Sequence, residues 1–369
     1  MRKYKLINNV LGWIVFLIAS TVYLMTIEPT ASFWDCGEFI SSAFKLEVGH
    51  PPGAPFFMLT ANLFTQLASD TSTVAKMVNS MSALFSGLTI LFLFWSITHL
   101  ARKIMVDDEN EISLGQMITI MGSGLVGALA YTFSDTFWFS AVEGEVYAYS
   151  SLFTALVFWL ILKWEEAADR PHADRWIVLI AYLMGLSIGV HLLNLLCIPA
   201  IVLVYYYKKF PNPTMKGTIY ALLVSFAIVG LMMYGVVQGL VEVCGYFELL
   251  FVNVLGMPYN SGVFAYVIVL AAVLIWSIWE TMRDEINPVR MKVAFILSIV
   301  LVGVPFIGSG YVLAVILTGA LTAYLFMSKK VNIKMLNTVL VCLMVIVVGY
   351  SSYALTMIRA TADTPMNQN

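Results

Sequence analysis

Trp34–Gly53, with the sequence WDCGEFISSAFKLEVGHPPG, is the longest stretch of this 369-residue chain that is not simply apolar. It holds five titratable side chains, namely Asp35, Glu38, Lys45, Glu47 and His50. The whole chain has only 22 acidic residues and 4 histidines. Charges beside a membrane-spanning segment are costly unless they face water or take part in chemistry. We therefore expect this stretch to be the catalytic loop of a membrane enzyme, with the remaining chain as its scaffold.

The composition around that stretch is typical of a membrane protein. Hydrophobic residues make up 60% of the chain and charged residues 11%, whereas soluble domains carry about 25% charged residues. The net charge of −2 argues against a nucleic-acid partner. The four cysteines are far apart and form no CxxC motif, which argues against a zinc knuckle or a disulfide framework.

The apolar segments predict an all-α, polytopic membrane fold. A span needs about 20 apolar residues, and the basic N-terminus leads into an apolar segment without a cleavage site, so we expect an uncleaved first span. We predict eleven transmembrane helices, at residues 10–27, 74–100, 116–134, 147–164, 176–190, 193–207, 217–240, 262–280, 292–307, 310–328 and 335–356.

Lysine and arginine positions predict the orientation. With the N-terminus in the cytoplasm, only Lys45, Lys76 and Arg359 of the 20 basic residues lie outside. A single helix over 176–207 would be about 48 Å long, more than a bilayer requires, and would divide the basic residues almost evenly between the two sides. The charge rule therefore favours two short spans with a turn near His191.

The segments outside the spans also carry expectations. Residues 35–47 and 54–70 should form two interfacial helices of the first outer loop, joined by GHPPG. The GSGLVG sequence at 122–127 lies in an apolar span, so close helix packing is favoured over a dinucleotide site. Residues 1–358 are expected to form the transmembrane catalytic domain, and the polar residues 359–369 the start of a linker to an extracytoplasmic domain.

The first outer loop holds the first candidate residues. Asp35 and Glu38 are three residues apart and would share a helix face, where one could act as general base and the other orient it or bind a metal. Capping of a water-facing helix explains them equally well. His50 precedes two prolines that make the bend rigid, and its imidazole could bind phosphate; the alternative is a simple helix-entry turn.

The second outer loop, residues 134–149, pairs carboxylates with aromatic side chains. Glu143 and Glu145 lie between Trp138 and Tyr147, and such a set suits a sugar, whose hydroxyls need acceptors and whose CH faces stack on rings. The alternative is an aromatic belt at the membrane interface, which does not explain the paired glutamates.

Four further residues are candidates with structural alternatives. His191 and Asn194 lie at the predicted turn and should face the same recess, unless the histidine is simply buried and satisfied by the backbone. Asn79 begins the second span, where it could serve helix packing alone. Arg359 follows the last span and could meet a lipid phosphate or anchor the helix in the headgroups.

Three motifs together carry a resemblance: DCGEF…GHPPG at 35–53, EVY at 145–147, and GLSIGVHLLNLL at 185–196. The pattern resembles the membrane domain of a bacterial glycosyltransferase family whose animal relative is an endoplasmic-reticulum protein O-mannosyltransferase acting on plexins. The layout is also similar to the wider GT-C superfamily, which includes the protein O-mannosyltransferases and the lipid A aminoarabinose transferase. The resemblance implies a GT-C-like fold with the catalytic aspartate in the first outer loop.

The resemblance also implies a reaction and a location. A sugar, mannose, would move from a polyprenyl-phosphate donor to a protein Ser/Thr hydroxyl with inversion, without a required cofactor. The enzyme would lie in the bacterial inner membrane as a multi-pass protein, with a cytoplasmic N-terminus and a periplasmic site and C-terminus. The implied catalytic residues are Asp35, as general base, and Glu38. The implied substrate-binding residues are Trp34, His50, Asn79, Trp138, Glu143, Glu145, Tyr147, His191, Asn194 and Arg359.

Other functions remain open at this level. An oligosaccharyltransferase, which could need a divalent metal at its carboxylates, or a lipid-modifying glycosyltransferase would use the same kind of site. A lipid or sugar transporter or flippase would need charges at mid-span, and the sequence has almost none.

Overall fold

The computed structural model describes residues 2–106, 112–308, 311–328, 331–362 and 364–367. Its regular secondary structure is helical. The α-helices are α1 Arg2–Met25, α2 Cys36–Lys45, α3 Pro55–Thr65, α4 Val74–Met105, α5 Leu114–Thr132, α6 Asp135–Ala141, α7 Val146–Ala167, α8 Asp174–Ile188, α9 Ile198–Lys209, α10 Met215–Gly230, α11 Gln238–Leu249, α12 Ser261–Met282, α13 Pro288–Leu301, α14 Tyr311–Met327, α15 Ile333–Tyr350 and α16 Ala354–Ala360.

Eight helices in the described ranges are long and apolar enough to cross a membrane, by length and composition. They are Arg2–Met25, Thr71–Met105, Leu114–Thr132, Val146–Ala167, Leu192–Lys209, Met215–Val254, Ser261–Met282 and Ile333–Ala360. The all-α, multi-pass class is thereby confirmed. Three of the eleven predicted spans form shorter helices, since α8, α13 and α14 have 15, 14 and 17 residues. Residue 310 of the predicted span 310–328 lies outside the described residues.

The chain divides into two compact units, Met1–Cys197 with Val348–Asn369, and Ile198–Val347. In the first unit, α4 packs against α1, α5 and α7. The small residues of the GSGLVG sequence permit close packing of α5 on α4, because a Cβ on Gly124 would lie 2.8 Å from a ring carbon of Phe94 and one on Gly127 2.6 Å from Ile97. The expected packing role of this sequence is thereby confirmed.

A hydrophobic cluster of the first unit supports the Trp34–Gly53 stretch. α2 buries Phe39, Ile40 and Ala43 on one face, as the helical spacing predicts. These side chains pack with α3, the N-terminal part of α4 and the start of α7, where Met81 and Phe153 are buried. The two short helices predicted for the first outer loop are therefore present, with their connecting loop held on an apolar base.

The second unit contains a longer helical stretch than the sequence predicts. Helix continues from Met215 to Val254 through π-helical turns at Leu231–Val237 and Leu250–Val254, past the predicted end at residue 240. Its later part contains Glu248, whose carboxylate accepts backbone N–H groups of Asn260 at 2.6 Å and Val263 at 3.1 Å. These bonds satisfy donors at the start of α12, which explains why this charge does not end the helix.

Candidate functional site

The connection between α2 and α3 places three of the predicted residues together. Asp35 immediately precedes α2, and its side chain makes no capping hydrogen bond. Glu38 lies in the first turn, and its Oε1 accepts the backbone N–H of His50 at 2.6 Å and lies 3.0 Å from His50 Nδ1. The ligating atoms of Asp35, Glu38 and His50 all lie within 4.8 Å of one another, so these three residues could hold a metal ion.

Gly49 makes the contact between Glu38 and His50 sterically possible. A Cβ at this position would lie 2.7 Å from Glu38 Oε1, closer than ordinary van der Waals contact. The backbone then turns through the prolines, and the Gly53 N–H donates to the His50 carbonyl at 2.8 Å. The Glu38 carboxylate and the GHPPG loop are thus held together by contacts between residues that are close in sequence.

The start of α3 is tied to a second loop, which follows α8. The backbone N–H groups of Phe56 and Phe57 donate to the Gly189 carbonyl at 2.7 and 3.2 Å. These are groups that a helix N-terminus leaves without an intrahelical partner. The helix is interrupted at residues 189–191, as the predicted turn near His191 requires. The two bonds bring His191 close to the GHPPG loop.

A recess of about 100 Å³ lies where these loops meet the start of α7. Its polar and aromatic lining comprises five predicted residues, namely Asp35, His50, Glu145, Tyr147 and His191. Phe39, Val146 and Val190 contribute apolar walls. Residues from four separate parts of the sequence therefore share one small site.

The two glutamates of the second outer loop have different environments. Glu143 is buried, and burial raises the pKa of its carboxyl against the opposing influence of the neighbouring Ser32 and Cys36 side chains. Glu145 is only 5% exposed, and its Oε2 has no hydrogen-bond partner. Burial, together with the charges of Glu143 and Asp35, raises the pKa of Glu145 to about 7. Glu145 can therefore exchange a proton near neutral pH.

The histidine of the third motif is neutral and oriented. Burial lowers the pKa of His191, and the Leu193 backbone N–H donates to His191 Nδ1 at 3.2 Å. The proton of the neutral ring then resides on Nε2. The Tyr147 ring lies 5.5 Å from the His191 ring, centroid to centroid, and its side chain is half-exposed. This pair offers a hydrogen-bond donor and an aromatic face to the recess.

Two predicted site residues are buried away from the recess lining and bind backbone or neighbouring side chains. Asn79 is fully buried, and its Nδ2 donates to the carbonyls of Glu28 and Thr30 at 2.7 and 3.0 Å. Asn194 is fully buried and donates to Ser187 Oγ at 2.9 Å. Both side chains thus donate to neighbouring groups, and their contact with substrate stays a prediction.

Three other predicted residues also lie outside the lining. Trp34 is exposed. Trp138 donates from Nε1 to Thr26 Oγ1 at 2.9 Å. Arg359 donates from Nε to the Leu46 carbonyl at 2.6 Å, so it binds the end of α2 in this structure. A substrate role for these three residues stays a prediction.

Sequence reasoning missed Cys36 and Gly49. Cys36 is buried beside Glu143, and burial together with the neighbouring carboxylates raises the pKa of its thiol. The place of Cys36 between Asp35 and Glu38 is the sequence signal that indicates its proximity to the site. Gly49 precedes His50 in the GHPPG sequence, and its significance depends on the position of Glu38, whose carboxylate a side chain at residue 49 would displace.

The fold and site together define a multi-pass α-helical membrane protein with carboxylates and histidines around one recess. Residues 35–214 match the family model for the protein O-mannosyl-transferase TMEM260 N-terminal domain, and the chain is thus related to these proteins. It is 26% identical over 187 residues to protein O-mannosyl-transferase tmem260 of Dictyostelium discoideum, covering 49% of this chain and 21% of the relative. It is 28% identical over 174 residues to mouse protein O-mannosyl-transferase TMEM260, covering 47% and 22%.

The matched region thus spans about a fifth of the length of these curated relatives. The family-model match over residues 35–214 includes every residue that lines the recess, from Asp35 to His191. No solved structure matches the chain.

Proposed function

We propose that this chain forms the membrane part of a GT-C-like glycosyltransferase that transfers mannose from a polyprenyl-phosphate donor to a protein Ser/Thr hydroxyl, with inversion. The convergence of Asp35, His50, Glu145, Tyr147 and His191 on one recess carries the proposal. The relatives support it, because both are named protein O-mannosyl-transferases.

Asp35 is the general base of the proposed reaction. It is exposed at the mouth of the recess, and no helix cap engages its carboxylate. The acceptor hydroxyl would give its proton to Asp35 as its oxygen forms a bond to the anomeric carbon. The bond between that carbon and the phosphate oxygen breaks, and the polyprenyl phosphate leaves as an anion.

Glu38 and His50 act on the leaving side. Glu38 binds both the backbone and the ring of His50, so it orients the imidazole towards the recess. With Nδ1–H directed to Glu38, the ring would donate from Nε2 to the phosphate anion that develops during reaction when the imidazole is protonated. This arrangement assigns Glu38 a positioning role, rather than a role as a second base.

The remaining lining residues suit a sugar. Glu145 offers a carboxyl oxygen without a protein partner, which can accept a hydroxyl proton. Tyr147 offers an aromatic face, and His191 offers a donor from its neutral ring. These three groups would hold the mannosyl unit or the acceptor.

We further propose that the chain lies in a bacterial inner membrane with the recess on the periplasmic side. The distribution of lysine and arginine supports this orientation, because only Lys45, Lys76 and Arg359 would lie outside. The donor is then at the outer membrane surface, beside the α2–α3 loop.

The test is mannose transfer in membranes that contain the chain. Labelled polyprenyl-phosphate mannose and a Ser/Thr peptide are supplied, and labelled peptide is counted. Asp35→Asn keeps the shape and removes the base, so turnover should fall by about 10²–10⁴-fold. Donor binding should persist, because an amide does not repel phosphate. The matched control is Asp70→Asn, an exposed carboxylate of the same outer loop that binds its neighbour Ser72.

Two outcomes would refute parts of the proposal. Near-normal transfer by Asp35→Asn, together with loss of transfer in Glu145→Gln, would move the base to the second outer loop. Transfer only from a lipid-linked oligosaccharide, or movement of the labelled lipid across the membrane without transfer, would reject the proposed reaction.

A further inference from the structure

We propose that Asp35, Glu38 and His50 form a binding site for one divalent metal ion, with Glu145 facing it across the recess. Two carboxylates and one imidazole offer ligating atoms within 4.8 Å of one another. His50 would bind the metal as the neutral ring, a state in which it does not donate to the phosphate. Bound metals hold such ligands at about 2.0–2.2 Å, so small side-chain movements would close the three groups around one ion. This inference goes beyond sugar transfer, because it concerns what the site binds.

The three ligands are largely prearranged. Glu38 is held by the backbone N–H of His50 at 2.6 Å, which leaves its second carboxylate oxygen outside that bond. The Asp35 side chain is not used in capping α2. Because a carboxylate has two oxygens, Asp35 can bind a cation with one and accept a proton with the other.

An independent observation at Glu145 also points to a cation. Its side chain is 95% buried, since its exposed fraction is 5%, and its Oε2 has no hydrogen-bond partner. A buried polar atom without a partner is costly, and native proteins satisfy most of them with protein groups, water or ions. Glu145 lines the same recess as Asp35 and His50, so a metal ion or one of its water ligands would supply the missing contact.

The charge of the recess has the sign that a cation requires. Asp35 and Glu145 line it, Glu38 adjoins it through His50, and no lysine or arginine is found among the described lining residues. The mixed oxygen and nitrogen ligands suit Mn²⁺ or Zn²⁺ better than Ca²⁺, which prefers oxygen ligands alone.

Manganese binding to the 369-residue chain tests the proposal without any need for turnover. The purified protein in detergent is treated with a chelator, exchanged into metal-free buffer and titrated with Mn²⁺, and free Mn²⁺ is followed by electron paramagnetic resonance. We expect one bound ion per chain. Asp35→Asn and Glu38→Gln should each raise the Kd by about tenfold or more, the usual effect of disturbing a metal site. Asp70→Asn should leave the Kd unchanged.

Two results would each overturn the proposal. Either the wild-type chain binds no Mn²⁺ in the millimolar range, or a double Asp35→Asn, Glu38→Gln variant binds it as tightly as the wild type. His50→Gln provides a further ligand deletion should Glu38→Gln fail to fold. A chain that binds Mn²⁺ but transfers no mannose would refute the proposed function and leave this inference standing.

Discussion

Glu143 and Glu145 show at the residue scale how backbone geometry separates two neighbouring carboxylates. Glu143 lies beside Ser32 and Cys36, while Glu145, two residues further along the chain, lines the recess. The sequence shows the alternation, but burial depends on what packs against each side. The pairing of glutamates could therefore be predicted, whereas their different surroundings could not.

Glu145 should make the stability of the protein fall as pH rises. The pKa of its carboxyl is about 7 in the folded chain, above its ordinary value of 4.5. Between these values the folded state binds more protons than the unfolded state, so the free energy of unfolding decreases with rising pH. Glu145→Gln resembles the protonated form and should remove that decrease, which is on the order of a few kcal/mol.

The measurement is Tm in detergent from about pH 5 to about pH 8. Hydrogen bonds from Ser72 lower the pKa of Asp70, so its titration lies below this window and Asp70→Asn serves as the control. If the Tm of Glu145→Gln fell with pH as steeply as that of the wild type, Glu145 would not carry the effect.

The α2–α3 hairpin is the element that the sequence predicts best. Its two helices follow from apolar spacing and from the proline at the start of α3. The hairpin also packs beside the start of α7 and the helix break that follows α8. The local sequence does not predict this packing, because it depends on long-range hydrogen bonds such as those from Phe56 and Phe57 to Gly189. The charge rule placed those motifs on the same side of the membrane, but that they meet at one recess depends on the packing of distant helices.

Gly49→Ala should disrupt the site while leaving the helices intact. The added Cβ would lie 2.7 Å from Glu38 Oε1, so the carboxylate must move and its hold on His50 should weaken. Mannose transfer should fall, with little change in far-ultraviolet circular dichroism. Gly37→Ala is the matched control, because its Cβ would meet only Ala31 at 3.9 Å. Equal activity of the two variants would exclude this role for Gly49.

Arg359 should stabilise the end of α2. It donates to the carbonyls of Leu46 at 2.6 Å and Lys45 at 3.3 Å, and hydrogen bonds from a charged group contribute about 1.5–3 kcal/mol. Arg359→Met should therefore speed amide hydrogen exchange at residues 45–48. Lys45→Met is the control, because Arg359 binds only the backbone carbonyl of Lys45, which this substitution leaves in place. Unchanged exchange in Arg359→Met would show that the contact contributes little.

At the scale of the whole molecule, hydropathy predicted the class and the approximate segments. It could not predict helix lengths, because an apolar run does not show where turns shorten α8, α13 and α14. Hydropathy also placed the end of the helix that begins at Met215 too early, at residue 240. The hydrogen-bond partners that satisfy the charge of Glu248 come from the start of α12 and could not be predicted locally.

The orientation is the last prediction and can be tested by labelling single cysteines in intact cells. Lys45→Cys and Asp70→Cys lie at exposed positions of the first outer loop, and Arg170→Cys lies at an exposed position after α7. The basic residues predict that an impermeant maleimide reacts with the first two from outside and with Arg170→Cys only after the cells are opened. The wild-type chain gives the background, because its four cysteines are buried or half-buried. Labelling of Arg170→Cys in intact cells, with Lys45→Cys protected, would reverse the orientation and place the recess in the cytoplasm.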